Sequence, residues 1–526
     1  LSAAVPPASL SLARGATLLQ SIEGADLVVV TSPELLAPAE RLAAHRRTTG
    51  LRVRVLATDE IFGAFSGGEV DPSAIRSLVA YAVAEWEVPA PRYVLLLGDG
   101  TFDYRNELPP YQAANVVPVA LFDSDFNETA SDNWFVDLDG DLFPELAIGR
   151  LPAANAAEAD VMVDKILAYE TRAFGQGFET RALFVADNPV ENWEMYYFDE
   201  LPIEIAAELP DYMSTDLLQL SAMTPTETTE DIVDAINEGR VWVNYIGHGS
   251  VRTWTQEQIL TTAHVPLLDN VDAPAFFVAM TCSNGIFQFP NTSATGTSQR
   301  GLAETAMVSP AAAIAFWAAS NPSLPDPVPQ LNRTLVQAGL GGRDVRLGDF
   351  VQETLMAASL ETPGTADLLQ GMVLFGDPSM KLRNNKHPLV DGVDGPTEVG
   401  TGEWTIYHPI GARDPDGVPE PLDYRWRLFS KPPDSKAVLG GQENGRFWPD
   451  YAGTYVVQIE VSDGLAWSAP ARLTVEARGE YAKPPSSDPG CGCALGGDGG
   501  AAAGTSLGAL ALAAVVLGIR KRHGSS

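Results

Sequence analysis

Tyr93-Val-Leu-Leu-Leu97 is an unbroken apolar run, halted at once by Gly98-Asp99-Gly100. A strand with apolar side chains on both faces has to be covered on both, the condition of a strand inside a parallel sheet flanked by helices. Two further short runs precede it, Asp26-Leu-Val-Val-Val-Thr31 and Leu51 to Ala57. Helix-forming stretches separate the three. One covers Glu34 to Thr49 and stops at Gly50; the other opens at Asp71-Pro72, with Asp71 as N-cap and Pro72 in the first helical position, and runs to about Trp86. Continuous strands alternating with helices predict an α/β unit.

The pattern then restarts. Ala153 to Thr171 reads as a helix, Arg181 to Val185 as a strand and Thr228 to Glu238 as a helix. Val241 to Ile246, Ala275 to Ala279 and Ala311 to Ala318 follow as apolar strands, and a helix near Asp349 to Ser359 and a strand at Met372 to Phe375 close the unit. The expected fold class is therefore α/β with two adjacent parallel-sheet units, residues 20–174 and 175–385. From 386 to 478 the helical period is lost. Short alternating runs such as Tyr424 to Leu428 and Thr454 to Val461, broken by Pro, Gly and Asp, predict a β-sandwich. Residues 479–504 form a Pro/Gly/Ser-rich linker carrying Cys491-Gly-Cys493, and 505–526 a terminal segment with an apolar run, 507–519, ahead of Arg520-Lys-Arg522.

Composition narrows the function. Of the 526 residues, 68 are Asp or Glu and 34 Lys or Arg, a formal net charge of -34. Neutralising phosphates takes surplus basic residues, so a nucleic-acid partner is excluded from the expectations. At 45% hydrophobic residues the chain is not a disordered polyanion, and 3 cysteines are too few for a disulfide framework. Leu1 opens the sequence without a Met or a basic leader, so the expectation is a fragment or processed form.

Two of the rare chemistry-bearing residues occupy equivalent positions. His248 follows the strand 241–246 in Gly247-His248-Gly249-Ser250, and Cys282 follows the strand 275–279 in Thr281-Cys282-Ser283-Asn284-Gly285. Catalytic groups gather beyond the carboxyl ends of parallel strands, and neighbouring strands are about 4.8 Å apart. A thiolate is a strong nucleophile whose pKa a nearby imidazolium lowers, and the N–H groups of Gly249 and Cys282 are the candidate donors to an oxyanion. Taken one by one, a lone Cys after a strand is usually a small buried hydrophobe and a lone His a structural residue; their shared setting raises the pair above that background.

The segments VWVNYIGHGS (241–250) and AFFVAMTCSNGIF (275–287) resemble the His and Cys motifs of gingipain-type cysteine peptidases, which have a caspase-like α/β fold. VLLLGDGTFDY (94–104), DLDGDLFPELAIGRLP (137–152), Ala168-Tyr-Glu170 and FGDPSMKL (375–382) extend the resemblance over roughly residues 25–385. It implies peptide-bond hydrolysis through an acyl-enzyme, with Cys282 as nucleophile, His248 as general acid/base and protein or peptide substrates; the chemistry needs no cofactor. It also implies that Glu145, just before Ile148-Gly-Arg150, orients the imidazole. Asp137, Asp139 and Asp141, with Glu145 four residues further on, suit oxygen ligation of a structural Ca²⁺ as well, and a solvated acidic turn is a third reading of the same residues. Basic-specific members place an acid a few residues after Gly-Arg, which here is Glu158; the rival reading is a first-turn acid favoured by the helix dipole. Trp317 is the candidate pocket wall.

Residues 420–467 resemble a polycystic-kidney-disease-type or related immunoglobulin-like module. The terminal Cys491-Gly-Cys493, apolar run and basic cluster resemble a myxosortase-type sorting tag. That implies a sorting protease as partner, an anchor on one of the two cysteines, and a C-terminal transmembrane segment before processing; a plain tail anchor is the rival. The expectation is an exported, surface-anchored cysteine endopeptidase. A non-catalytic surface adhesion or assembly protein on a peptidase-like fold is the alternative.

Overall fold

The structure is a computed structural model and describes residues 18–105, 107, 115–172, 174–290, 299–416 and 421–483. Its centre is a ten-stranded sheet built from β1 (Leu27–Thr31), β2 (Val53–Ala57), β3 (Tyr93–Leu97), β4 (Ala147–Leu151), β5 (Arg181–Ala186), β6 (Ser214–Gln219), β7 (Trp242–Ile246), β8 (Ala275–Met280), β9 (Ala313–Ala319) and β10 (Met372–Phe375). Their order across the sheet is β2-β1-β3-β4-β10-β9-β8-β7-β5-β6. All residues of β1, β3, β4, β7, β8, β9 and β10 are buried, as an apolar strand covered by helices on both faces requires.

The two units expected side by side share this one sheet. Within each half the strands run parallel, and β10, expected to close the second unit, lies between the halves. It is antiparallel to β9, from Phe316 opposite Phe375 to Ala319 opposite Met372, and touches β4 at the pair Phe375 and Arg150. Gly149 makes the seam close: a Cβ there would stand 2.4 Å from the carbonyl oxygen of Gly376. Arg150 braces it. Its guanidinium, fully buried, donates to both carboxylate oxygens of Asp132 (2.8 and 2.7 Å) and to the carbonyls of Gly98 and Val117.

Helix starts follow their caps. Asp71 accepts from Ser73 N at 2.8 Å ahead of the helix Pro72–Glu85. Thr224 and Glu227 form a capping box, so the helix expected from Thr228 begins at Pro225. The edge strand β6 is absent from the sequence reading because Ser-Thr-Asp at its start is exposed and polar; its pairing with β5 holds it in place.

Two four-stranded sheets form the sandwich. Tyr407, Phe447, Tyr455, Val457, Ile459, Val461 and Val475 fill the space between them. Asn385 and Lys386 join it to the α/β part: Tyr212 Oη donates to the Asn385 carbonyl (3.2 Å), Asn385 Nδ2 to Asp463 Oδ2 (3.1 Å) and the Lys386 amide to Asp416 Oδ2 (2.7 Å). Cys491, Cys493 and the apolar run 507–519 lie outside the described residues. Among the described residues no helix is long and apolar enough to cross a membrane.

Candidate active site

Residues at the carboxyl ends of β5, β7, β8 and β9 converge. The register puts Ile246 opposite both Ala186 and Met280, so the turns after β5, β7 and β8 leave the sheet at one level. The His and Cys turns are then tied together. Asn284, fully buried, sends Nδ2 to the carbonyls of Ser250 and Thr253 and accepts Trp254 Nε1–H at 2.8 Å. Trp254 stacks on Tyr245 with ring centroids 4.3 Å apart, and Tyr245 Oη donates to the carbonyl of His248 at 2.5 Å. Burial pushes the Tyr245 phenol well above its ordinary pKa, with the carboxylates of Asp187 and Glu257 adding to it.

The backbone at both turns is specialised. Gly249 cannot carry a side chain, since a Cβ would stand 2.4 Å from Thr281 Oγ1. Gly249 lies opposite Trp254, and Thr255 N donates to His248 O at 2.9 Å. In an antiparallel ladder that bond flanks a pair whose own N–H groups point away from each other, so the Gly249 N–H is not spent on Trp254. Ser283, next to Cys282, has φ +63°, a strained value for a residue with a Cβ. Its N–H bonds Asn321 O (3.0 Å) and Gly285 N bonds Ala319 O (2.8 Å), which hold the turn against the end of β9. Cys282 is partly exposed, and Sγ faces the Ser323 carbonyl at 3.8 Å.

Two carboxylates hold His248. Asp187 Oδ2 accepts its amide at 2.9 Å, and Glu194 Oε1 meets ring Nε2 at 2.8 Å. Burial pushes the Asp187 carboxyl up, against the two amides that favour its charge. At Glu194 burial also pushes upward, but the N–H groups of Glu191 and Val190 and the His248 ring outweigh it, and the net shift is downward. Glu194 sits in the loop after β5, the strand beside β7. Sequence reading missed it, although an acid beyond the carboxyl end of that neighbouring strand was the signal available.

Glu145 does not meet the imidazole. It precedes the amino end of β4, four strands from β7, or roughly 19 Å at about 4.8 Å per strand. Its carboxylate accepts Leu138 N at 2.6 Å and gathers with Asp137 and Asp139, their ligand atoms all within 4.8 Å of one another. Asp141 is not in that group. Asp137 also accepts the amides of Gly140 and Leu142, and Asp139 that of Asp141. Glu158, in the first turn of the helix Ala156–Thr171, accepts Arg300 Nη2 at 2.7 Å and Ala154 N at 3.0 Å. Its charge is answered within the chain. Trp317, expected as a pocket wall, is fully buried in β9.

Among known proteins, the profile of peptidase family C25 matches residues 21–383. Gingipain R2 of Porphyromonas gingivalis is 25% identical over 278 residues, 52% of this chain and 34% of that protein. Lys-gingipain of the same organism is 25% identical over 172 residues, 30% of this chain and 9% of that protein. The chain thus spans about a third or less of the length of these curated relatives. The crystal structure of the Arg-specific cysteine proteinase gingipain R superposes with a TM-score of 0.55 at 17% identity, covering 87% of this chain and 99% of that one, a likeness of fold.

Proposed function

The chain belongs to peptidase family C25, and from that premise we propose that it is a cysteine endopeptidase with Cys282 as nucleophile and His248 as general acid/base. The observation that carries the reading is the clamp of Asn284 on Ser250, Thr253 and Trp254, which ties the turn of one rare residue to that of the other. Glu194 on Nε2 fixes the ring and stabilises its cationic form, which leaves Nδ1 for the thiol. The thiol proton passes to the imidazole and Sγ adds to the scissile carbonyl. The N–H groups of Gly249 and Cys282 receive the oxyanion. The imidazolium then protonates the departing amine as the C–N bond breaks, and water, deprotonated by the same ring, hydrolyses the thioester. No step calls for a metal or an organic cofactor. Because Arg300 neutralises Glu158, the reading assigns no Arg or Lys preference to that residue.

Surface attachment belongs to the same proposal: the tail with Cys491, Cys493 and the apolar run would be the substrate of a sorting protease and the anchor of an exported enzyme. One experiment tests both. A membrane-impermeant, thiol-directed peptide electrophile applied to intact producing cells should label the chain. Cys282→Ala should lose the label and peptide cleavage together, and truncation ahead of Cys491 should move the labelled protein into the medium. Undiminished cleavage by Cys282→Ala would sink the mechanism; truncated protein still on the cells would sink the anchor.

A further inference from the structure

Residues 187–197, the loop that brings Glu194 to His248, read Asp-Asn-Pro-Val-Glu-Asn-Trp-Glu-Met-Tyr-Tyr. Glu194 is buried, yet the large apolar side chains around it are in water: Val190 is 74% exposed, Trp193 52%, Met195 48% and Tyr196 37%. Scattered exposed apolar residues need no explanation, but four within seven positions form a patch that does. The loop that holds them is ordered by its own acid. Val190 N and Glu191 N donate to Glu194 Oε2 at 2.6 and 2.8 Å, and Glu194 N donates to Glu191 O at 3.0 Å. Trp193 meets Tyr197 edge to face at 5.9 Å, and Tyr196 meets Tyr197 at 5.6 Å. A π-helical turn follows at Tyr196–Glu200, a distortion that frequently marks functional sites. Phe198, in that turn, sets its ring edge-on to His248 at 5.5 Å. The patch is therefore fastened to the imidazole twice, through Glu194 and through Phe198.

We propose that Val190, Trp193, Met195 and Tyr196 form the surface that receives apolar residues on the C-terminal side of the scissile bond. The inference rests on the reading of His248 and Cys282 as the catalytic pair. In that chemistry the Sγ–C bond forms, the C–N bond breaks, and the ring proton goes to the nitrogen of the departing amine. That nitrogen is the first atom of the leaving segment, so the segment leaves past the imidazole and over whatever rims it. The rim is aromatic and aliphatic, and Glu191 is the one charged side chain exposed in the loop. Acidic leaving residues are therefore disfavoured twice, by the apolar surface and by like charge.

The test uses internally quenched peptides identical on the acyl side, with Leu-Phe, Ser-Gly or Asp-Glu after the scissile bond, on the full chain, Trp193→Ser, Trp193→Phe and Tyr196→Ser. The full chain should cleave the Leu-Phe peptide about tenfold or more better in kcat/KM than the Ser-Gly peptide, the ratio that burying part of one large side chain supplies. Trp193→Ser and Tyr196→Ser should each cut that ratio several-fold, while Trp193→Phe retains most of it. Cleavage without the preference, or a preference untouched in both Ser variants, overturns this assignment alone. Cleavage of none of the peptides by the full chain overturns the catalytic pair and the assignment with it.

Discussion

Glu194 is where residue-scale physics separates this site from a chance meeting of a thiol and an imidazole. A buried carboxylate is costly unless paired, and this one is paired three ways, by two amides of its own loop and by the His248 ring. Glu194→Gln keeps the shape and removes the charge that stabilises the imidazolium. We expect kcat/KM to fall by about 10²-fold or more, the scale of an oriented general base. Stability supplies a second readout, with a definite sign. The folded-state pKa of Glu194 lies below its unfolded value of 4.5, so its contribution is fully present above that value and is lost as pH falls through the lowered one. The melting-temperature gap between the native chain and Glu194→Gln should therefore close as the pH falls below 4.5. A gap that does not narrow in acid would show that the charge is not held by the fold. His248 and Cys282 were legible in the sequence because each is a rare residue in a Gly-flanked turn after an apolar strand. Glu194 was not, because acidic residues are abundant here and its place depends on which strand neighbours β7, which is a matter of topology. Glu145 misled for the same reason: a motif resemblance supplied a carboxylate, and the sheet order put it four strands away.

At the scale of elements, strand identity was written in apolar continuity and sheet order was not. Tyr93–Leu97 and Ala275–Met280 announce themselves as buried strands, but nothing in Met372–Phe375 says that it joins the halves rather than ending one. That is decided by close approach and by one buried cation. Gly149 lets the Gly376 carbonyl in, and Arg150 spans from β4 to Asp132, Gly98 and Val117 with the Phe287 ring 4.7 Å beneath it. Edge strand β6 shows the opposite limit: its exposed polar start carries no burial signal. Arg150→Met would leave the buried Asp132 carboxylate without a counter-charge, a loss of about 3–5 kcal/mol. The denaturation midpoint should fall accordingly, and Asp132→Asn in the same chain should restore part of it by removing the orphaned charge. An Arg150→Met midpoint equal to that of the native chain would show that the seam does not depend on this pair.

The whole molecule adds a joint whose stability depends on pH. Lys386, buried between the peptidase-like part and the sandwich, donates Nζ to the Leu382 and Asn384 carbonyls and to Asn384 Oδ1, and its amide to Asp416. Burial pushes the Asp416 carboxyl up to about 6, with Lys386 opposing, and pushes Lys386 down to about 8, with Asp416 opposing. Each sign follows from the folded value against the unfolded one. Asp416, raised from 3.8, contributes stability that is complete below 3.8 and lost as pH rises through about 6. Lys386, lowered from 10.5, contributes stability that is complete above 10.5 and lost as pH falls through about 8. Between about 6 and 8 both groups are charged in a place that disfavours charge, and their mutual attraction with the surrounding carbonyls is what offsets it. Asp416→Asn keeps the acceptor for the Lys386 amide and removes one titration. Measured against the native chain, its melting temperature should gain as the pH rises from 4 to 6. The other carboxylates of this acidic protein titrate in both chains and cancel in the difference. A difference that stays flat from pH 4 to 6 would place the Asp416 carboxyl in ordinary solvent and leave the union of the two parts to the hydrogen bonds of Tyr212 and Asn385.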